Sequence, residues 1–142
     1  GEFPLLPLFV NCYGEEAGID YPPRPTAKRC YEVGQSIRRF LDTRTERVAV
    51  VASSSWSHSF LAHKFGCSAI DLETDRRYLE LVRQGQGSQL ATLTPEELQD
   101  SGDHEILNWI IALGILGDVP AEIVDVRESH TQLAFRVAAL WG

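Results

Sequence analysis

The sequence lacks the features of a membrane-spanning or secreted protein. No apolar run approaches the roughly 20 residues that cross a bilayer, and the N-terminus lacks the basic-then-apolar layout of a signal peptide. The three cysteines, Cys12, Cys30 and Cys67, are an odd number without a C-x-x-C pair. Such cysteines indicate reduced thiols rather than a disulfide framework or a zinc site, so we expect a cytoplasmic protein.

Positive charge is also scarce. The chain has 13 lysines and arginines against 20 aspartates and glutamates, which gives a net charge of −7. Nucleic acids and anionic membranes bind basic patches, so this charge argues against both as partners. A length of 142 residues, 44% hydrophobic and 23% charged, is ordinary for one globular domain with its own core. We therefore predict a single domain over residues 1–142.

Several common catalytic signatures are missing as well. The serines at residues 53–55 lack the flanking glycines of the G-x-S-x-G nucleophile elbow. His63 stands five residues after His58, which is not the H-E-x-x-H spacing of zinc proteases. The glycine pair at residues 85–87 precedes no helix of the dinucleotide-binding type. The pattern therefore disfavours a serine hydrolase, a zinc protease and a dinucleotide enzyme.

Alternating strand and helix patterns predict an α/β fold. Apolar runs at residues 5–11 and 47–52 are typical of strands that are buried on both faces. The predicted helices are residues 26–41, 71–84, a short one that starts with the capping box at 94–97, and 103–116. The predicted final strands are residues 121–126 and 133–140, joined by a turn at 128–131. We expect three α/β/α layers with a mixed, partly parallel sheet that ends in an antiparallel strand pair.

The predicted helix at residues 103–116 carries a polar cluster at its start and is apolar on nearly every other side. Glu105, Asn108 and Ala112 share one narrow strip, because residues three and four apart lie on one helix face. A buried carboxylate has to be hydrogen-bonded, paired or bound to a cation. The alternative is a partly solvated acid that is stabilised by the helix dipole. The residues alone leave both interpretations of Glu105 open.

A second candidate is His58, in the polar loop at residues 53–59 that follows the clearest predicted strand. In open α/β sheets, ligands bind beyond the carboxyl ends of strands. A histidine there can act as a general base, a metal ligand or a hydrogen-bonding group. A purely structural or exposed histidine is equally compatible with the sequence.

With these residues in view, the chain resembles the C-terminal half of class III extradiol ring-cleavage dioxygenases, such as the catalytic β subunit of protocatechuate 4,5-dioxygenase. Four segments carry the resemblance in the correct order, and they cover nearly the whole chain. They are the strand at residues 7–13, the helix at 25–34, the strand and Ser-His loop at 48–58, and the Glu-x-x-x-Trp helix at 102–109. The last two together are fairly specific.

The resemblance implies a role for each candidate residue. Glu105 matches the carboxylate of a non-haem Fe(II) site, in which two histidines complete a facial triad. His58 matches a histidine that acts as acid and base toward a catechol-type aromatic substrate during its cleavage by O₂. Ser57, Asn11 and Asn108 are supporting or substrate-binding groups by position.

One departure from the family is large. The two iron-binding histidines lie in the first half of the family domain, and His63, His104 and His130 match neither position. We expect a C-terminal half that is inactive alone and that pairs with a missing N-terminal half or with a copy of itself, because its apolar strands lack neighbours. The alternative is a non-catalytic binding or scaffold domain of the same fold without metal.

Overall fold

A computed structural model describes residues 4–14, 22–129 and 131–142 of the chain. The α-helices are α1 (Ala27–Leu41), α2 (Leu72–Arg83), α3 (Pro95–Ser101) and α4 (Ile106–Leu116). The strands are β1 (Glu122–Ser129) and β2 (Ala134–Leu140), and three short 3₁₀ turns lie at Ser59–Leu61, His63–Phe65 and Gly87–Thr92. Residue 130 of the predicted turn lies outside the described residues. In the described part of the chain, no helix is long and apolar enough to cross a membrane.

Three of the helices begin at side chains that cap their first backbone N–H groups. The Thr26 hydroxyl accepts a hydrogen bond from the N–H of Arg29 at the start of α1. The Asp71 carboxylate caps α2 in the same way. Thr94 starts α3 with the predicted capping box, in which Glu97 bonds back to the cap. The helices predicted at 26–41 and 71–84 and the start at 94–97 are therefore confirmed.

The core centres on the contact between α1 and α4, which pack against each other at two glycines. A Cβ on Gly34 would lie 2.1 Å from the carbonyl oxygen of Ile111, and one on Gly114 would lie 2.3 Å from that of Tyr31. The backbones of the two helices therefore touch, and any residue larger than glycine at these two positions would push them apart. Almost every α4 residue is buried, as its all-round apolar pattern predicts. The helix itself begins at Ile106 rather than at the predicted residue 103.

The predicted antiparallel strand pair is confirmed. β1 and β2 pair from Glu122 opposite Leu140 to Ser129 opposite Ala134, with one irregularity near the start of β1. β1 ends later than the predicted residue 126. The chain around His58 lies along the other edge of β2, where His58 forms a bridge with Ala134. The Ser-His loop therefore lies against the hairpin that β1 and β2 form.

The predicted strands at residues 5–11 and 47–52 are not formed. Both segments lie outside any helix or strand, and Leu6, Phe9 and Val51 are 94%, 91% and 86% exposed. A strand needs a neighbouring strand to accept and donate its backbone hydrogen bonds. β1 and β2 pair with each other, whereas these two segments have no such neighbour among the described residues. The described residues contain one sheet of two strands, so the structure does not form the expected parallel strands or the three-layer arrangement.

Candidate active site

Glu105 stands at the start of α4 and reaches away from its own helix. Its side chain does not cap α4. One carboxylate oxygen, Oε1, accepts a hydrogen bond from the Tyr13 hydroxyl, and Oε2 accepts one from the N–H of Ser55 at 3.1 Å. The side chain is only 23% exposed. Of the two interpretations left open by the sequence, the structure favours the hydrogen-bonded, partly buried carboxylate over a solvated helix-start acid.

His58 approaches the same carboxylate. Its Nε2 lies 3.8 Å from Oε1 of Glu105, and its side chain is 15% exposed. This nitrogen is buried and has no hydrogen-bond partner among the described residues. The ring packs beside Phe60 with 5.1 Å between ring centroids. The structure thus brings together the two residues that the sequence singled out, and it leaves one imidazole nitrogen available beside a carboxylate.

Backbone contacts hold His58 at this place. Its N–H donates to the carbonyl of Gly102 at 3.2 Å. Gly102 has a φ of +76°, and a Cβ there would lie 2.7 Å from the carbonyl oxygen of His58. Only glycine fits this close, left-handed turn. The end of α3 therefore touches the Ser-His loop directly.

Ser57, predicted as a supporting group, is fully buried and bonds to the start of α2. Its N–H and hydroxyl donate to the two oxygens of Asp75, the former at 3.1 Å. Its hydroxyl also accepts from the N–H of Asp71 at 3.2 Å. The Ser57 hydroxyl therefore fixes the loop that precedes His58 to the start of α2.

The two asparagines predicted as supporting groups make different contacts. Asn11 closes its own turn, because its amide donates to the carbonyl of Pro22 at 2.7 Å and accepts from the N–H of Gly14 at 3.1 Å. Asn108 lies one turn after Glu105 on α4 and donates to the sulfur of Cys12 at 3.7 Å. Asn108 therefore fixes the segment that carries Tyr13 over the start of α4.

Tyr13 is a site residue that sequence reasoning missed. Its ring stacks on that of His104, with 6.0 Å between centroids. Burial and the hydrogen bond to Glu105 raise the pKa of Tyr13, and burial with the Glu105 charge raises the pKa of Cys12 to about 12. A signal was present, since Tyr13 follows the predicted strand at residues 5–11 just as the Ser-His loop follows the next one.

Two carboxyl side chains lie buried behind the site and were also missed. Asp75 and Asp103 are both inaccessible to solvent. Burial raises the pKa of Asp75 to about 6, although its bonds from Ser57 lower it. Burial and the Asp75 charge raise the pKa of Asp103 well above its usual range.

The donors at the site match part of an iron centre. A carboxylate and imidazoles are the donor types of the facial triad for Fe(II). Among residues 4–14, 22–129 and 131–142, no group of three or more histidine, cysteine, aspartate or glutamate side chains could hold a metal ion. Glu105 fits the group in kind, but the chain's described residues do not complete a ligand set.

Comparisons with known proteins agree on one family. A family model described as the catalytic LigB subunit of aromatic ring-opening dioxygenase matches residues 17–139. A gallate dioxygenase from Pseudomonas putida is 32% identical, over 71% of this chain and 30% of its own length. A 2,3-dihydroxyphenylpropionate/2,3-dihydroxicinnamic acid 1,2-dioxygenase from Cupriavidus necator is 24% identical, over 80% of this chain and 48% of its own. The chain thus spans less than half the length of these relatives.

Proposed function

Because this match covers most of its residues, the chain belongs to the LigB family, the catalytic subunits of aromatic ring-opening dioxygenases, and we propose that it carries part of the active site of an Fe(II)-dependent extradiol enzyme. The reaction would open a catechol-type ring with O₂. Relatives named for gallate and for 2,3-dihydroxyphenylpropionate support an aromatic substrate of this class. The cytoplasmic location expected from the cysteines stays a prediction.

The observation that carries this proposal is the 3.8 Å approach of His58 Nε2 to Glu105 Oε1. Glu105 would hold the metal, and two histidines from outside this chain would complete the triad. Fe(II), when bound, would supply the coordination positions at which a catechol and O₂ meet. His58 would take a proton from the catechol hydroxyl, since its buried Nε2 has no hydrogen-bond partner among the described residues.

The exposed apolar segments support a missing structural half. Residues 5–11 and 47–52 have strand-like sequences but no strand neighbour among the described residues. We propose that they pair with strands from the N-terminal half of the family domain, which would restore the parallel part of a three-layer fold. A second copy of this chain is the alternative partner. Without that half, we expect the chain to bind no iron and to cleave no catechol.

Glu105→Ala and His58→Ala in the full polypeptide that carries this chain test the two roles. After anaerobic loading with Fe(II), iron content and oxygen uptake with protocatechuate and gallate are measured. Glu105→Ala should abolish iron binding. His58→Ala should keep the iron and lower turnover about 10²- to 10⁴-fold, the usual contribution of a general acid–base group.

Two exposed residues provide matched controls for these variants. Glu96→Ala on α3 and His63→Ala should leave both iron content and turnover unchanged, because both residues are exposed. Equal loss of iron in Glu105→Ala and His58→Ala would mean that the two roles are wrongly assigned.

A non-catalytic binding domain of the same fold is the second candidate. The incomplete donor set of the described residues favours it for this chain taken alone. The two candidates differ in the remainder of the polypeptide, where an enzyme requires two further histidines at strand ends. A full polypeptide that binds substrate but takes up no Fe(II) would favour the binding domain.

A further inference from the structure

We propose that Asp75 of α2 is a positioning residue that holds the loop carrying His58 in place beside Glu105. Asp75 is fully buried and so cannot touch a substrate. It accepts two hydrogen bonds from Ser57, the residue before His58. The catalytic roles of His58 and Glu105 rest on the proposed function, whereas the hydrogen bonds of Asp75 do not depend on it.

The contact with the Ser-His loop fixes the peptide that carries His58. Asp75 accepts the N–H and the hydroxyl of Ser57 on its two oxygens. The Ser57 carbonyl in turn accepts the N–H of Phe135 in β2 at 3.2 Å. Every hydrogen-bonding group of Ser57 is therefore engaged, and the position of His58 depends on α2 as well as on the hairpin.

The arrangement stabilises the fold poorly, which is why positioning accounts for it better than stability. A buried carboxyl group is costly to desolvate, and well-packed apolar residues of similar volume often stabilise a fold as well or better. A satisfied polar network, by contrast, fixes direction as well as distance. The loop that Asp75 holds is the one that carries His58.

Ser57→Ala and Asp75→Asn in the iron-loaded full polypeptide test the positioning role. We expect kcat to fall about 10- to 100-fold, since a small misplacement of a catalytic group has an effect of this size. The KM for protocatechuate and the iron content should stay within about twofold of their original values, because neither residue touches substrate or metal. Ser59→Ala is the matched control, since this buried serine follows His58 and is not a partner of Asp75.

A second measurement needs neither iron nor activity. The ring ¹⁵N and ¹H signals of His58 are recorded by NMR in the 142-residue chain and its variants. They should move or broaden in Ser57→Ala and Asp75→Asn and stay in place in Ser59→Ala. Moved signals support the role of Asp75 even if the full polypeptide cleaves no catechol, which would overturn only the proposed function.

Three results would overturn the role of Asp75. The first is a kcat within about twofold of the original in Ser57→Ala, and the second is His58 signals that do not move. The third is an equal loss of kcat in Ser59→Ala, because the effect would then not depend on the bonds to Asp75. If Asp75→Asn fails to fold, Ser57→Ala alone decides between these outcomes.

Discussion

The helix α4 and the two segments at residues 5–11 and 47–52 are all apolar in sequence, but their structures are opposite. Nearly all of α4 is buried, while Leu6 is 94% exposed and Val51 is 86% exposed. A helix satisfies its backbone hydrogen bonds internally, so apolar side chains alone decide where it packs. A strand also needs a neighbouring strand. Apolar composition therefore predicts burial within a chain only where that chain also supplies the backbone partner.

The largest effect should come from a larger residue at the helix contact. Gly34→Val places a Cβ 2.1 Å from the carbonyl oxygen of Ile111, so α1 has to move away from α4. We expect a loss of more than about 4 kcal/mol in the free energy of unfolding, which is an exceptional value for one substitution. Urea denaturation of the chain, followed by circular dichroism, measures it.

Gln35→Val is the matched control for this substitution. It places valine at the next residue of α1, which is exposed, where the lower helix propensity of valine costs about 0.5 kcal/mol or less. At Gly34 valine is no worse a helix former than glycine, so helix propensity does not explain a loss there. Similar unfolding midpoints in the two variants would show that the close contact of α1 and α4 is absent in solution.

A smaller effect should follow pH, because the packed region holds the buried acids. The pKa of Asp75 is raised from 3.8 to about 6, which corresponds to roughly 3 kcal/mol. The folded chain therefore binds a proton on Asp75 more tightly than the unfolded chain does. The resulting contribution to the free energy of unfolding is fully present below about pH 4 and is lost as pH rises through about 6. Urea unfolding between about pH 4 and pH 8 measures this loss.

The variant Asp103→Asn isolates the contribution of the pair. It removes one of the two adjacent acids, so the loss of stability between about pH 4 and pH 6 should be smaller than in the original chain. Asp100→Asn is the control at an exposed position. An unchanged pH dependence in Asp103→Asn would contradict the raised pKa of the pair.

The smallest effect on stability is expected in the exposed segments. Phe9→Lys and Val51→Lys change side chains that are 91% and 86% exposed, so each should shift the free energy of unfolding by no more than about 0.5 kcal/mol. The same changes should weaken association with a second copy or with the N-terminal half, because a charge disrupts an apolar strand edge.

Sedimentation velocity and urea denaturation of these two variants separate association from stability. A destabilisation above about 1 kcal/mol would mean that the segments pack within this chain after all. A chain that stays monomeric at every concentration would contradict the expected association with a second copy.

The parts of the fold that the sequence predicts have local causes. α1, α2 and α3 start at Thr26, Asp71 and Thr94, whose side chains cap the backbone within three residues. The strand pair at the end of the chain is also local, because a short turn joins its members. The predicted strands at residues 5–11 and 47–52 have no strand partner among the described residues, and a local apolar pattern does not reveal whether a partner strand is present.

The residues of the candidate site also fall into a group that the sequence predicts and a group that it does not. Glu105 and His58 were predicted because one opens an apolar helix and the other follows a strand. Tyr13 and Asp75 were missed because their partners, Glu105 and Ser57, lie far away in the sequence. Such pairings depend on tertiary packing. The position of the candidate residues could therefore be predicted, but not the groups that hold them.

The pairing of the Ser-His loop with β2 limits how this chain can vary in length. Trp56 and Ser59 donate their N–H groups to the carbonyls of Phe135 and Leu133 at 2.9 and 3.0 Å. Side chains alternate along a strand, so deleting one residue between these two carbonyls would turn the fully buried Phe135 toward solvent and carry His58 away from Glu105. Insertions at the tip of the hairpin would do neither. Natural variants of this chain should therefore differ in length at the tip and keep the spacing from Leu133 onward.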